Sequence, residues 1–146
     1  MASWTNPEYA LPNSRAFASA AVWGNWLVVA GGIVEVTDPV TTYRQNVIAA
    51  RMGPAGMLGQ WKTIAVLPAG RVGCSLWISP TGKMYIIGGG PLEADPTGAL
   101  LDAGRDILVG QLNPDGDLQG SGLVPERSLP HPLNNVGMAV SRDWMY

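Results

Sequence analysis

Two stretches of this chain repeat one another in the same order, and no other feature constrains the fold as much. The first runs Leu11-Pro12, Arg15, Ala18-Ser19-Ala20-Ala21-Val22, a short turn, then Trp26-Leu27-Val28-Val29-Ala30-Gly31-Gly32. The second runs Leu67-Pro68, Arg71, Cys74-Ser75-Leu76-Trp77-Ile78, another turn, then Met84-Tyr85-Ile86-Ile87-Gly88-Gly89. Leu-Pro moves 56 positions between the copies and Gly-Gly moves 57. A fixed period of this size marks one supersecondary unit used again. Such a unit cannot bury its apolar faces alone, so its neighbours must stack on it.

The repeat continues through Val47-Ile48-Ala49-Ala50-Arg51-Met52, the turn Gly53-Pro54-Ala55-Gly56, and Met57-Leu58-Gly59-Gln60-Trp61. Its copy is Ile107-Leu108-Val109-Gly110-Gln111-Leu112, then Asn113-Pro114-Asp115-Gly116, then Asp117-Leu118-Gln119-Gly120, now displaced by 60 positions. A third copy opens at Leu129-Pro130 and passes through Val136-Gly137-Met138-Ala139-Val140 to Asp143-Trp144-Met145-Tyr146. Asn135 is expected at its arginine position, and Ser121 or Gly122 in place of Trp61. The organisation expected is one domain over residues 1–146, with repeat units at about 11–66, 67–128 and 129–146.

Each copy contains four strand-like segments. The first, around Phe17 to Val22 and Gly73 to Ile78, is rich in small side chains, which suit a crowded innermost strand. The second, Trp26 to Ala30 and Met84 to Ile87, is a continuous apolar run of the kind buried on both faces. The third and fourth are joined by Gly-Pro-Ala-Gly or Asn-Pro-Asp-Gly, where Pro fixes φ and Gly accepts the left-handed region. Only 14% of residues are charged, against 19 Gly and 12 Pro, which suits short buried strands and tight turns.

Four antiparallel strands per repeat describe a propeller blade. The chain resembles the Kelch-type β-propeller family, through Leu-Pro-x-x-Arg, an apolar strand, a strand ending in Gly-Gly, and a later Trp. The residues carrying the likeness are Leu11, Pro12, Arg15, Gly31, Gly32 and Trp61, then Leu67, Pro68, Arg71, Gly88 and Gly89, with Asn-Pro-Asp-Gly at 113–116. The resemblance implies an all-β fold of Kelch-like blades in a ring of six or seven. About two and a half blades are present, an incomplete ring whose open edges would expose unpaired backbone groups. Either the sequence is a piece of a longer propeller or several copies supply strands to one another, and the second is the favoured expectation. A head-to-tail contact makes a ring when its rotation closes.

Antiparallel alternation puts the short turns at one rim and the long connections, Ile33 to Asn46 and Gly90 to Asp106, at the other. Long loops on a rigid scaffold are where recognition gathers. Tyr43, Arg44, Asp95, Asp102 and Arg105 are therefore candidate ligand contacts, each weighed against a plain solvated loop residue. The recurring Arg15 and Arg71 are candidates for a ring of cations at that rim. The competing and favoured role is structural, a hydrogen bond to carbonyls of a neighbouring blade.

Other motifs carry less. Asp115-x-Asp117-x-Gln119-Gly120, with Glu126 in the twelfth place, imitates a calcium-loop spacing, yet its flanks are strand-like and a hairpin turn is expected. His131 is the only histidine, so no multi-histidine metal site can form within one chain. Cys74 replaces Ala18 on an apolar strand and is expected as a buried thiol. Among six tryptophans, Trp26, Trp61 and Trp77 are expected to pack between blades, leaving Trp4, Trp23 and Trp144 as sugar-stacking candidates.

Net charge is −2 with basic residues scattered, so no stripe is present to neutralise nucleic-acid phosphates. The longest apolar run, Trp26 to Ile33, is too short to span a bilayer, and no secretory signal is expected at the N-terminus. One cysteine excludes an internal disulfide. The leading expectation is a non-enzymatic module for protein binding or structural assembly, partnered by its own copies or another propeller segment, without cofactor or metal. The alternative is carbohydrate binding on an extracellular or virion surface. An enzyme ranks last: the family resemblance includes sugar-epimerising and copper-oxidase propellers, but no copper ligands or paired acid and base are present.

Overall fold

The computed structural model describes residues 10–37, 40–90, 104–135, 137–141 and 144–145. Among these the chain is all-β, every strand pair is antiparallel, and there is neither an α-helix nor a closed barrel. No helix among the described residues is long and apolar enough to cross a membrane.

Strand β1 (Ser19–Trp23) turns at Gly24-Asn25 into β2 (Trp26–Ala30). The long connection that follows is expected as a loop, yet β3 (Ile33–Thr37) and β4 (Val40–Tyr43) form a ribbon of their own. Their β-branched run, Ile-Val-Glu-Val-Thr against Val-Thr-Thr-Tyr, favours extended backbone strongly enough to pair locally. Then β5 (Asn46–Met52) pairs with β2, and β6 (Leu58–Val66) pairs with β5 across the turn at Pro54. The first sheet therefore has the order β1-β2-β5-β6.

The second sheet repeats this with β7 (Ser75–Ile78), β8 (Lys83–Ile87), β9 (Asp106–Gln111) and β10 (Val124–Ser128), each beside the next. Its fourth strand corrects the sequence expectation. Asp117–Gly120 forms no ladder strand: it makes a bridge, Leu118 to Leu112, with the Gln119 N–H on the Gln111 carbonyl at 2.8 Å and the Asp117 carbonyl accepting from Asn113 N–H at 2.9 Å. Gly120 and Gly122, both left-handed at φ +64 and +80, then turn the chain away, and ladder pairing resumes at Val124 opposite Val109. A ribbon of β11 (Val140–Ser141) and β12 (Trp144–Met145) lies in the third copy.

The core lies between the two sheets. Alternate residues of a strand share a face, so Val28 and Ala30 on β2 join Val47 and Ala49 on β5. They cluster with Leu76, Ile78, Met84, Ile86 and Leu108 of the second sheet, all buried. Fully burying a Val, Leu, Ile or Met side chain stabilises by about 1.5–3 kcal/mol, so this seam holds the pair together. Strands β1 and β7 run as neighbours, with Leu76 N–H donating to Ser19 Oγ at 3.0 Å. The unlike faces of two similar sheets meet.

Candidate functional site

The recurring arginines sit where the second strand of each sheet ends. Arg15 donates through Nη1 to the carbonyls of Gly31 (3.0 Å) and Asn46 (3.2 Å), and through Nη2 to Asn46 Oδ1 (2.8 Å). Arg71 donates to the Gly88 carbonyl (3.1 Å) and pairs with Asp106 Oδ2 at 3.5 Å. Each guanidinium thus ties the first Gly of Gly-Gly to the residue that opens the third strand. A buried carbonyl needs a donor, and the arginine supplies one where the chain leaves the sheet.

The same segment also ties one sheet to the next. Gly32 N–H donates to the Arg71 carbonyl at 2.9 Å, and Gly89 N–H donates to the Leu133 carbonyl at 2.8 Å. Leu133, and not Asn135, therefore occupies the arginine position of the third copy. Asn135 instead matches Phe17 and Gly73, two residues further on, and all three have left-handed φ, at +55, +55 and +61. A Cβ at Gly73 would overlap Asn135, so the close approach of these segments requires glycine there.

The two arginines expected in a ring of cations, Arg15 and Arg71, each hold the first Gly-Gly carbonyl of their own sheet. Arg71 is fully buried, with its guanidinium on the Gly88 carbonyl and Asp106. Desolvation lowers its pKa, partly offset by Asp106. Arg15 and Arg44 flank the same Gly31-Gly32 segment. The Arg44 backbone N–H donates to the Gly32 carbonyl at 2.8 Å, next to the Gly31 carbonyl that the Arg15 guanidinium holds. Burial first, and the Arg44 charge second, lower the pKa of Arg15. Tyr43 packs against Gly70, where a Cβ would overlap its own. Arg105 lies elsewhere: its Nε donates to the Leu129 carbonyl at 3.1 Å and anchors the start of the third copy. Asp95 and Asp102 lie outside the described residues.

At the opposite rim, residues that the sequence left unconnected clasp the two sheets together. Trp23 Nε1–H donates to the Pro80 carbonyl (3.1 Å) and Trp26 Nε1–H to the Pro114 carbonyl (3.0 Å), both in turns of the second sheet. Lys62 lies 4.7 Å over the Trp26 ring, bonds the Asp115 carbonyl at 2.7 Å, and pairs with Asp117 at 2.6 Å. Trp23 thereby stands at the sheet interface and remains half-buried. The one available signal was two tryptophans bracketing a Gly-Asn turn, a wide apolar rim with polar tips. Trp77, expected between blades, stacks on Tyr85 at 5.3 Å and stands outside the shared core. Trp4 lies outside the described residues.

The remaining motifs fall into ordinary roles. Asn113 Oδ1 accepts from the N–H groups of Asp115 and Asp117 and closes a hairpin turn, as expected. Among the described residues, no three His, Cys, Asp or Glu side chains cluster as metal ligands. Cys74 is buried, which raises its thiol pKa. An open hollow of about 700 Å³ lies at the turn rim, on Asn25, Arg51, Met52, Pro54 and Met57, at the opposite end from Arg15 and Arg44.

No family model matches the chain, and no curated protein matches it. Among solved structures it is similar to the structure of YjhT, at 19% identity and a TM-score of 0.46, over 76% of this chain and 39% of that one. The chain thus spans well under half the length of that protein, and so loose a likeness carries no argument about fold or function.

Proposed function

We propose that the chain is a segment of a Kelch-type β-propeller and acts as a non-enzymatic binding or assembly module. Its remaining sheets come from other copies or from the rest of a longer chain. The observation that carries this is the head-to-tail character of the sheet contact. The first sheet offers Trp23, Trp26 and Lys62, and the second receives them on its turns. The bond from Gly89 to Leu133 repeats the one from Gly32 to Arg71, so a third unit is engaged in the same sense. Successive contacts of one kind build a ring where the rotation closes.

Multi-angle light scattering of the 146-residue chain tests the assembly arm. A folded, strand-rich species at an integer multiple of the 15.4 kDa chain mass is the expected result. A folded species that stays monomeric at all concentrations rejects completion by copies and leaves only completion by a longer chain.

A further inference from the structure

The outer hairpin turns of the two sheets are built alike. In the second sheet, Asn113 N–H donates to the Asp117 carbonyl at 2.9 Å and Gly116 N–H to the Asn113 carbonyl at 2.9 Å. In the first, Gly53 N–H donates to the Met57 carbonyl at 2.7 Å and Gly56 N–H to the Gly53 carbonyl at 3.2 Å. Gly116 and Gly56 have nearly the same left-handed φ, +74 and +77.

One turn is filled and the other is open. The Trp26 ring lies so close to Gly116 that a Cβ there would overlap it, and Trp26 Nε1–H donates to the Pro114 carbonyl at 3.0 Å. A Cβ added at Gly56 would meet no described residue within 4 Å. The Pro54 carbonyl, counterpart of Pro114, accepts from Met57 N–H at 3.5 Å, longer than an ordinary hydrogen bond. A carbonyl also has a second lone pair to offer. Met57 is 53% exposed, and with Pro54 it lines the open hollow of about 700 Å³ at this rim. An apolar wall beside a free acceptor position is what an indole requires.

The chain carries an indole at the matching register elsewhere. On β1 and β2, Trp23 pairs with Trp26 and Val22 with Leu27. On β11 and β12, Ser141 pairs with Trp144 and Val140 with Met145. Trp144 therefore holds the register position of Trp26. The second sheet has Lys83 there, displaced by 57 as its Gly-Gly is, so the repeat does not by itself dictate a tryptophan.

We infer that the turn at Gly53–Gly56 is a seat for Trp144 of a second copy of this chain. The occupant follows from continuity with the contact between the two sheets: Trp26 of one unit already enters the equivalent turn of the next. Repeating that contact between chains sets the third copy of one against the first sheet of another, head to tail. The inference rests on the assembly proposal and names the contact which that proposal leaves open.

The test is light scattering over a dilution series on the wild-type chain, Trp144→Ala and Gly56→Ala, singly and mixed. The wild-type chain is expected to self-associate, and each variant to weaken that association about tenfold or more. Gly56→Ala is the sharper variant. In a dissociated chain its Cβ meets no described residue, whereas a seated indole would collide with it as Trp26 would at Gly116. Trp144→Ala retains an open seat and Gly56→Ala retains the indole, so an equimolar mixture is expected to regain one contact and form a two-chain species. Circular dichroism unchanged from the wild type shows that each variant is folded. Undiminished association of either variant, or no two-chain species in the mixture, overturns the seat and leaves the ring standing. A wild-type chain that stays monomeric at every concentration overturns the seat's occupant together with completion by copies.

Discussion

The two sheets share one backbone plan and spend their polar side chains differently. In both, an arginine four residues after the Leu of Leu-Pro reaches the first carbonyl of Gly-Gly. In the second sheet that arginine is buried and neutralised by Asp106; in the first it is half-buried beside Arg44. In the third copy Leu133 keeps the backbone bond and drops the guanidinium altogether. The position is thus defined by main-chain geometry, and its charge is free to vary. A repeat constrains where a side chain stands far more tightly than what that side chain does.

The largest expected effect separates the two locks. Arg71→Ala strands the Gly88 carbonyl and the Asp106 carboxylate, and is expected to cost about 3 kcal/mol in urea unfolding, because Asp106 keeps some solvent. Arg15→Ala relieves a repulsion while losing neutral hydrogen bonds, and is expected to cost about 1 kcal/mol. Equal costs would erase the distinction. Next come two equivalent turn glycines. Gly116→Ala drives a Cβ into the Trp26 ring at φ +74, whereas Gly56→Ala at φ +77 meets nothing. The first is expected to lose about 2 kcal/mol and the second about 1 kcal/mol by thermal unfolding. A smaller gap would mean that the Trp26 clasp contributes little.

A gain is expected from Phe17→Gly. Phe17 is 60% exposed on left-handed backbone, where the second sheet has Gly73. Removing the Cβ strain outweighs the added freedom of the unfolded chain, for a gain of about 0.5 kcal/mol. A loss of stability would show that the Phe17 ring makes contacts worth more than the strain. The smallest effect concerns Cys74, which stands where the first sheet has Ala18. Burial raises its folded-state pKa above the unfolded value. Its favourable contribution is therefore complete below the ordinary thiol range and is lost as pH rises through the folded value. Cys74→Ala should flatten stability against alkaline pH, and an unchanged slope would assign that slope to another group.

Strands with continuous apolar runs could be read directly. Trp26 to Ala30 and Met84 to Ile87 become β2 and most of β8, because no other arrangement of those residues keeps them dry. The hairpin turns at Gly53 and Asn113 were equally legible, since Pro and Gly restrict the backbone locally. The fourth strand of the second sheet was not, because Asp117-Leu118-Gln119 looks strand-like and the interruption depends on Gly120 and Gly122 turning together. Among site residues, the structural role of Arg71 was the favoured expectation. The convergence of Arg15 and the Arg44 backbone, 29 positions apart, on Gly31-Gly32 had no local signal.

The sequence alone determined the period, the strand-forming segments and the apolar seam, because these rest on short-range patterning of residue type. Tertiary structure decided which tryptophans bridge the sheets, which arginine is buried, and which residue of the third copy takes the arginine position. Those outcomes depend on side chains and carbonyls far apart in the chain meeting within hydrogen-bond distance. No periodicity in residue type encodes such a meeting, so identical positions in the two sheets could acquire opposite electrostatic characters.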